Sequence, residues 1–594
     1  MQKKIPLKTT IYKNLDFPLN VYAQCLLLDT GHVDYLHYGL FDQQHTTPTQ
    51  AQQHSTQLVQ QQLPSPPCHI LEIGSGLGTS ATLLAKQGYQ ITTLCPDEAQ
   101  FQIASDKIKQ ANLLNSVNIL PLTFADFYTQ HGQQNAGFDL ILCQESAQYI
   151  DTLALFNHGF KLLKTDGQLL ILDEFSLKRT EEDINTILPL LKQVKNQAKR
   201  CGFNLTFEQD WSPQATPTTD YLLATITKYQ QQLCETLPVT TEMIDDLLAS
   251  TRLYQHCYQQ GRYGYALLKW QKGKTPRWQV TASTPEDQPA VCGLFKQVFK
   301  QPMSEALWAW KYAEGRGMAT LGWKGQQLVA HYGGLLRDLR CFGQPRQGVQ
   351  IGDVMVLPQE RGVLTRQSAF FQTATTFPER YVGYGQQVYL GYGFPNFHAM
   401  KVAERLKLYA EVGRMAEIHW TPIASRARLM SSIRVLSPED ANLAQWVDIL
   451  WAEMADDLTQ DIIGVRDWGY IQHRYCQHPE KNYQFLLVKH RISQKPLGLA
   501  IIWREGNECK LMDYIGSRQN LHTVLLQTRR MLHTWQVPTL TTWVSDNFKP
   551  LFLDAGGVEY PLDVRVPTSI WTQGISPETI KNHWWLMIGD TDFN

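Results

Sequence analysis

Between residues 68 and 175 short apolar runs alternate with amphipathic ones. Cys68–Ile73 (CHILEI) has strand length, and the spacing of Thr79–Gln87 predicts a helix that stops at Gly88. Gln90–Leu94, Val117–Leu122, Phe138–Cys143 and Gln168–Phe175 read as further strands, with helices over Asp97–Gln110 and Leu153–Leu163. This alternation predicts an α/β fold with a parallel, doubly wound sheet, whose ligand sits beyond the carboxyl ends of the strands. Residues 176–270 are mostly helical in pattern, with strand-like pieces at Phe203–Glu208 and Tyr265–Trp270, and Gln271–Lys274 before Pro276 reads as a linker. The Gln-rich tract Gln43–Gln62 reads as a solvated helix or loop.

A different pattern follows. Thr284-Pro285-Glu286-Asp287 recurs as Ser437-Pro438-Glu439-Asp440, each after a short strand and at the start of a helix. Proline at the first helical position and acids in the first turn suit a helix start. Each copy leads into an aromatic-basic stretch (Trp308–Tyr312, Trp468–Tyr475) and then a strand pair (Ala319–Leu336, Phe485–Trp503). The shared order predicts tandem copies of one α/β fold.

Composition narrows the function classes. A chain of 594 residues with 43% apolar and 18% charged positions is long enough for several domains and is not a disordered one. Lys+Arg 54 against Asp+Glu 55 lacks the basic surplus of a nucleic-acid binder. The N-terminal stretch has no apolar signal core, and no apolar run reaches membrane-spanning length. The 11 cysteines are scattered without a C-x-x-C pair, which fits reduced thiols in a cytoplasm and offers no zinc site.

Chemistry concentrates first at Glu72-Ile73-Gly74-Ser75-Gly76-Leu77-Gly78. Glycines let a strand-to-helix turn approach a ligand closely, and Glu72, two places before the first glycine, can accept from a cationic ammonium. The array resembles the class I S-adenosylmethionine-dependent methyltransferases over roughly residues 30–272, and within them the small-molecule, cyclopropane-synthase-like branch. That resemblance implies a Rossmann-like methyltransferase domain with helical additions over residues 1–272. It places the donor on Glu72, Gly74, Ser75, Gly76 and Gly78, with Phe124 stacking on the adenine and Asp126 bonding it. Cys95 stands where most relatives carry a ribose-binding acid, so that role passes to Gln100. Tyr35–Phe41, with Tyr35 and Tyr38, matches the aromatic segment that caps the methyl donor. Cys143–Tyr149, with Gln144, Glu145 and Tyr149, matches the segment between donor and acceptor. Plain structural roles compete: core packing for Phe124 and the tyrosines, a helix cap for Asp126. An oxygen or amine acceptor calls for a base, for which His37 and Glu145 are candidates; a thioether calls for none. Its sulfonium product would suit the aromatic faces of Tyr35, Tyr38, Tyr149, Tyr221 or Tyr263.

Residues 277–420 resemble the GNAT acyltransferase superfamily, and a second, more divergent copy over 433–575 lies within a third domain of 433–594. Asp353–Pro358 matches the strand that precedes the pyrophosphate loop of that superfamily. In the loop itself Leu364 and Arg366 replace expected glycines, which obstructs the phosphate and argues against acetyl-CoA. His331, Asp353 and His398, with Asn396 nearby in sequence, could form a facial metal triad, act as acid–base groups, or be satisfied polar residues of a core. Arg337, Arg340 and Arg361 could pair with a substrate carboxylate or lie solvated.

A methyltransferase joined to a GNAT-like pair suggests consecutive steps on one small metabolite. The domain order resembles the bifunctional bacterial enzymes of dimethylsulfoniopropionate synthesis. That resemblance implies S-methylation of 4-methylthio-2-hydroxybutyrate, then decarboxylation of the sulfonium hydroxy acid; because losing that carbon to leave an acid is oxidative, an oxidant is needed, with a metal ion in the GNAT-like half as an optional partner. Two rivals stand beside it: a methyltransferase fused to an acetyl-CoA-dependent N-acetyltransferase, and one carrying a non-catalytic GNAT-like binding module. All three imply a small-molecule partner rather than nucleic acid or membrane.

Overall fold

The computed structural model describes residues 12–132, 137–183, 188–361, 365–424 and 430–591. The chain forms two units, residues 1–179 with 186–279, and residues 180–185 with 280–594.

In unit 1, seven strands form one sheet: β1 (His69–Ile73), β2 (Gln90–Leu94), β3 (Val117–Leu120), β4 (Phe138–Gln144), β5 (Leu163–Ser176), β6 (Phe203–Asp210) and β7 (Tyr263–Lys272). Their order is β3-β2-β1-β4-β5-β7-β6, parallel through β5, with β7 antiparallel between β5 and β6. The central strands read as unbroken apolar runs because both faces are covered. Leu71, Ile141, Leu169 and Ile171 pack on one face with Phe156, and the intervening Ile70, Leu140, Leu142 and Leu170 pack on the other with Ala81, Leu84 and Ile108. The order reverses between β1 and β4, so the carboxyl ends of these two strands flank the crevice where a ligand enters. A helical layer of Leu19–Thr30, Pro217–Thr236 and Thr241–Gln259 has its own apolar core around Ile226 and Ile244.

The Gln-rich tract departs from expectation. Its helix, Pro48–Gln60, is capped by Thr47 and Gln50, and it buries one face through Ala51, Gln52, Ser55, Thr56 and Val59. Gln52 donates to the carbonyls of Tyr35 (3.3 Å) and His37 (2.8 Å), tying down the aromatic segment. Amide side chains need not face water when a neighbouring loop supplies carbonyls.

Unit 2 repeats one strand plan. The first copy has β8 (Gln279–Ala282), β9 (Gly317–Lys324), β10 (Gln327–Cys341), β11 (Gln344–Val356), β12 (Leu390–Gly393) and β13 (Tyr409–Trp420). The second has β14 (Ser431–Leu436), a short β15 (Ile462–Gly464), β16 (Tyr483–His490), β17 (Pro496–Glu505), β18 (Glu508–Ile515) and β19 (Leu540–Ser545), followed by β20 (Val558–Tyr560), β21 (Arg565–Ser569) and β22 (Trp584–Trp585). In each copy the middle strands pair antiparallel and one parallel pair follows, β11 with β12 and β18 with β19. The expected helix starts are matched in one copy only: Thr284 opens a 3-10 turn, Pro285–Asp287, that runs into the helix Gln288–Phe299, whereas Ser437–Asp440 lies before a helix that begins at Leu443, so Pro438 is not at its first position. Glu286 and Glu439 are both held below the usual carboxylate range by bonds from Thr284 and Ser437.

The copies are not separate domains. β13 of the first copy pairs with β19 of the second, β21 of the second pairs with β12 of the first, and β13 and β21 pair with each other. Each half thus completes its sheet with a strand from the other, and one continuous sheet results. The expected boundary between 420 and 433 directly follows the exchanged strand β13 and precedes β14, which pairs with β16 of its own copy. Leu364 lies outside the described residues; the loop reappears at Thr365 and leads to the helix Ala369–Tyr381, capped by Ser368. Residues 280–424 alone are expected to lack a cooperative unfolding transition by near-ultraviolet circular dichroism, while residues 280–594 retain one.

Candidate functional site

At the end of β1 the amides of Gly74 and Ser75 both donate to the Leu94 carbonyl, at 3.0 and 3.1 Å, which folds the chain sharply before the helix Thr79–Lys86. Gly76 has φ 50°, and a Cβ there would meet nothing within 4 Å. The turn therefore faces open space with bare backbone. Gly78 serves packing instead: a Cβ there would lie 2.9 Å from the Ala104 Cα. Glu72 is buried and accepts from the Thr93 hydroxyl at 2.6 Å. Burial pushes its carboxyl up to about 7, against the downward pull of that bond.

The other donor-site expectations divide. Cys95 is buried, and its thiol reaches the Asp97 carbonyl at 3.6 Å. Asp97 caps the helix Glu98–Gln110 by accepting from the Gln100 amide at 2.6 Å, leaving Gln100 half-buried in the first turn. Phe124 is buried in the core beside β4 and Phe127. Asp126 is exposed, and its carboxylate accepts from Thr123 at 2.6 Å, a helix-capping role.

The crevice deepens into a nest of acids and tyrosines. Gln144 pairs with Leu172, so Glu145 at the end of β4 stands beside Asp173 and Glu174 on β5. Glu145 has φ 53°, a left-handed conformation that costs a non-glycine residue roughly 1–2 kcal/mol. Its Oε1 accepts from the Tyr38 amide and the Tyr265 hydroxyl, both at 2.6 Å, and the rings of Tyr38 and Tyr265 stack at 5.9 Å. Glu174 accepts from the Tyr258 hydroxyl at 2.7 Å. Asp173 accepts from the amides of Ala147 (2.8 Å) and Gln148 (3.2 Å). Burial, reinforced by mutual repulsion, pushes the Glu145 carboxyl well above its usual range and Asp173 to about 7; burial alone pushes Glu174 to about 7. Among the described residues the partners of these acids are tyrosine hydroxyls and backbone amides, with no lysine or arginine.

Several expected residues gather here. Tyr35 is buried near His37, Tyr38 bridges to Glu145, and Gln144 donates to Ser55 at 3.4 Å. Tyr149 is 73% exposed, on the turn that carries the Asp173-bound amides. His37 has both ring nitrogens engaged: its Nδ1 contacts the Tyr38 carbonyl, its Nε2 contacts Thr56, and burial lowers its pKa to about 4. Asp173, Glu174, Tyr258 and Tyr265 escaped the sequence reading. The signal was present, since two adjacent acids end an apolar strand of a parallel sheet.

In unit 2, Asp353 (φ 48°) holds Lys311 at 2.8 Å and the Tyr312 hydroxyl at 2.6 Å, and its carbonyl meets His331 Nδ1 at 2.7 Å. Burial pushes the Asp353 carboxyl up, but the Lys311 ammonium and Tyr312 outweigh it and hold it below the usual range. His398 does not join them: it is exposed on the helix Phe397–Arg405, which Asn396 caps. His331, Asp353 and His398 therefore do not form a facial metal triad, and Lys311 occupies the carboxylate that a cation would need. Among the described residues, the grouping of metal-binding side chains that does occur is Asp42, His45 and His54 in unit 1.

Residues 71–171 match the family described as Methyltransferase domain. Unit 1 therefore contains a methyltransferase domain over these residues. No curated protein matches the sequence. Among solved structures, the [4+2]-cyclase SpnF is 18% identical, with 42% of this chain and 92% of that one covered and a TM-score of 0.37. The mycolic acid cyclopropane synthase CmaA1, complexed with SAH and CTAB, is 16% identical over 45% of this chain and 99% of its own, at 0.38. A conserved Enterococcus faecalis protein of unknown function, described as "Probable N-Acyltransferase", is 13% identical over 49% of this chain and 71% of its own, at 0.40. Scores this low carry no argument about reaction or substrate.

Two outcomes are expected. Gly76→Leu fills the open space before the turn and abolishes donor binding in calorimetry, while strain at positive φ lowers stability by only about 1–2 kcal/mol. The second concerns pH. Glu72, Asp173 and Glu174 are neutral in the folded protein up to about 7, above the range of an unfolded carboxyl. Their contribution to stability is complete at low pH and is lost as pH rises through about 7. The melting temperature of the unliganded protein should fall over that window. Binding of a cation draws the acids into their charged form, so donor affinity should rise with pH and calorimetry in buffers of different ionisation enthalpy should register proton release.

Proposed function

We propose that unit 1 methylates the sulfur of a small thioether acid, 4-methylthio-2-hydroxybutyrate, and that unit 2 converts the sulfonium product to dimethylsulfoniopropionate. The observation that carries the first step is the nest of Glu145, Asp173 and Glu174 among tyrosines, with no basic side chain partnered to it among the described residues. S-adenosylmethionine supplies an activated methyl group on a positively charged sulfur. The open turn at Gly76 offers bare backbone to that ligand, and Glu72 offers a carboxylate for its ammonium. The acceptor sulfur attacks with its lone pair, so the positive charge passes to the product sulfur and no proton leaves. The residues then have two tasks, alignment and charge stabilisation. Glu145, fixed by Tyr38 and Tyr265, is held protonated by burial before a ligand enters and becomes a carboxylate only as positive charge arrives beside it, and the tyrosine faces favour the new cation. His37, engaged through both ring nitrogens, fits a reaction that needs no base.

For unit 2 we infer a strand-exchanged pair of GNAT-like repeats that removes the carboxyl carbon of a 2-hydroxy acid. The balanced step takes R–CH(OH)–COO⁻ and dioxygen to R–COO⁻, carbon dioxide and water, with dioxygen as the four-electron acceptor. The antiparallel strands closed by one parallel pair, and the Val354–Pro358 sequence leaving β11, support the fold assignment.

Mass spectrometry of the full chain with methyl-labelled donor and 4-methylthio-2-hydroxybutyrate tests both steps. A labelled sulfonium hydroxy acid should form first, then labelled dimethylsulfoniopropionate with carbon dioxide, the second only in the presence of dioxygen. Glu145→Gln should slow methyl transfer by about two orders of magnitude while changing donor affinity little. Labelling of amines but not thioethers would remove the acceptor assignment.

A further inference from the structure

Asp42, His45 and His54 in unit 1 play no part in the methyl-transfer reading, and they meet just past the aromatic segment. Backbone bonds fasten the chain there: the Leu40 amide donates to the Ala51 carbonyl and the Phe41 amide to the Gln214 carbonyl, both at 2.9 Å. Asp42 then opens a turn. Its amide donates to the His45 carbonyl at 3.3 Å, and its Oδ1 accepts from the amides of Gln44 and His45, both at 2.8 Å. The turn brings His45 back against His54, which stands on the helix Pro48–Gln60. A loop and a helix thus supply the three side chains.

Their spacings match the edges of a coordination shell. Metal bonds of about 2.1 Å put neighbouring ligand atoms about 3.0 Å apart in an octahedron and about 3.4 Å apart in a tetrahedron. His45 Nδ1 is 2.9 Å from Asp42 Oδ1, and His54 Nδ1 is 3.7 Å from Asp42 Oδ2. The Leu40 carbonyl, a further oxygen donor, is 3.0 Å from His54 Nδ1. One ligand atom from each of the three side chains lies within 4.8 Å of the others. The imidazoles stack with centres 4.1 Å apart and planes 15° from parallel, so an ion seated between them and the carboxylate turns the rings apart. Solvent reaches the group, since Asp42 is exposed and both histidines are half-buried. Among the described residues the charged partners of Asp42 are these two imidazoles, whereas Asp353 is held by Lys311.

We propose that Asp42, His45 and His54 bind a divalent first-row transition-metal ion of the Zn2+ type. Two imidazoles and one carboxylate suit that class, while Ca2+ and Mg2+ favour oxygen donors throughout. The ion replaces the hydrogen that joins His45 Nδ1 to Asp42. Its place in the fold makes it a clamp. It joins the end of the segment carrying Tyr38, whose amide donates to Glu145, to the helix carrying Gln52, which donates to the carbonyls of that same segment. The site stands apart from the choice of methyl acceptor: a chain that binds the ion and methylates no thioether removes that acceptor and upholds the site.

Calorimetric titration of the chelator-treated full chain with Zn2+ tests it, with Asp42→Asn and His45→Ala beside the native protein. The chain has 17 histidines, so the number of bound ions is read as a difference from the variants. The native protein should show a saturable Zn2+ site that each substitution weakens by at least about tenfold. Saturating Zn2+ should raise the melting temperature of the native chain and leave that of the variants unmoved. Near-ultraviolet circular dichroism checks that the variants fold; Asp42→Asn keeps the shape of the side chain and serves where His45→Ala does not. Absence of a saturable Zn2+ site, or the same affinity and number of ions in a folded variant, overturns the proposal.

Discussion

Three carboxyl groups at the ends of two adjacent parallel strands, with no basic side chain among the described residues answering them, set the character of unit 1. Glu145, Asp173 and Glu174 meet because β4 and β5 pair in a register that ends both strands at one edge. Burying like charges is costly, and the protein meets that cost by keeping protons on them and by aiming hydroxyl groups and amides at their oxygens. Around this constraint the rest is arranged. The helix Pro48–Gln60 holds the Tyr35–Tyr38 segment in position, Tyr38 and Tyr265 grip Glu145, and Glu145 keeps a strained backbone to stay there.

Much of unit 1 was legible in the sequence because local and global signals agree. Apolar runs of strand length, glycine at Gly88 after a helix, and Asp97 before another all act over a few residues. The turn at Gly74–Gly78 was legible for the same reason. The acid nest was only half visible. Glu145 lay within a segment already marked, but Asp173 and Glu174 looked like the polar end of a strand until the pairing register brought them beside it. Asp126 shows the opposite ambiguity: a helix cap and an adenine contact have the same sequence appearance three residues from a threonine, and the cap, one of the two alternatives, is what its hydrogen bonds make.

In unit 2 the repeat was readable and its assembly was not. The recurring Pro-Glu-Asp segments and aromatic-basic stretches are local. The exchange of β13 and β21 depends on which sheet edge lies open after each copy has formed its parallel pair, and no local pattern records that. The same limit hid the setting of Arg337, which the sequence left as either a carboxylate partner or a solvated residue: it is buried, and Tyr470, far along the chain, lies against its guanidinium.

The exchanged strands also bear on the order in which the protein can be made. Unit 1 has nearly all of its sheet once β7 has left the ribosome. The first repeat of unit 2 must wait with an unfinished sheet edge until β21 emerges, after the whole second repeat has been translated. During that interval an apolar strand edge is open to the wrong partner, which makes this half the one most dependent on chaperones during synthesis.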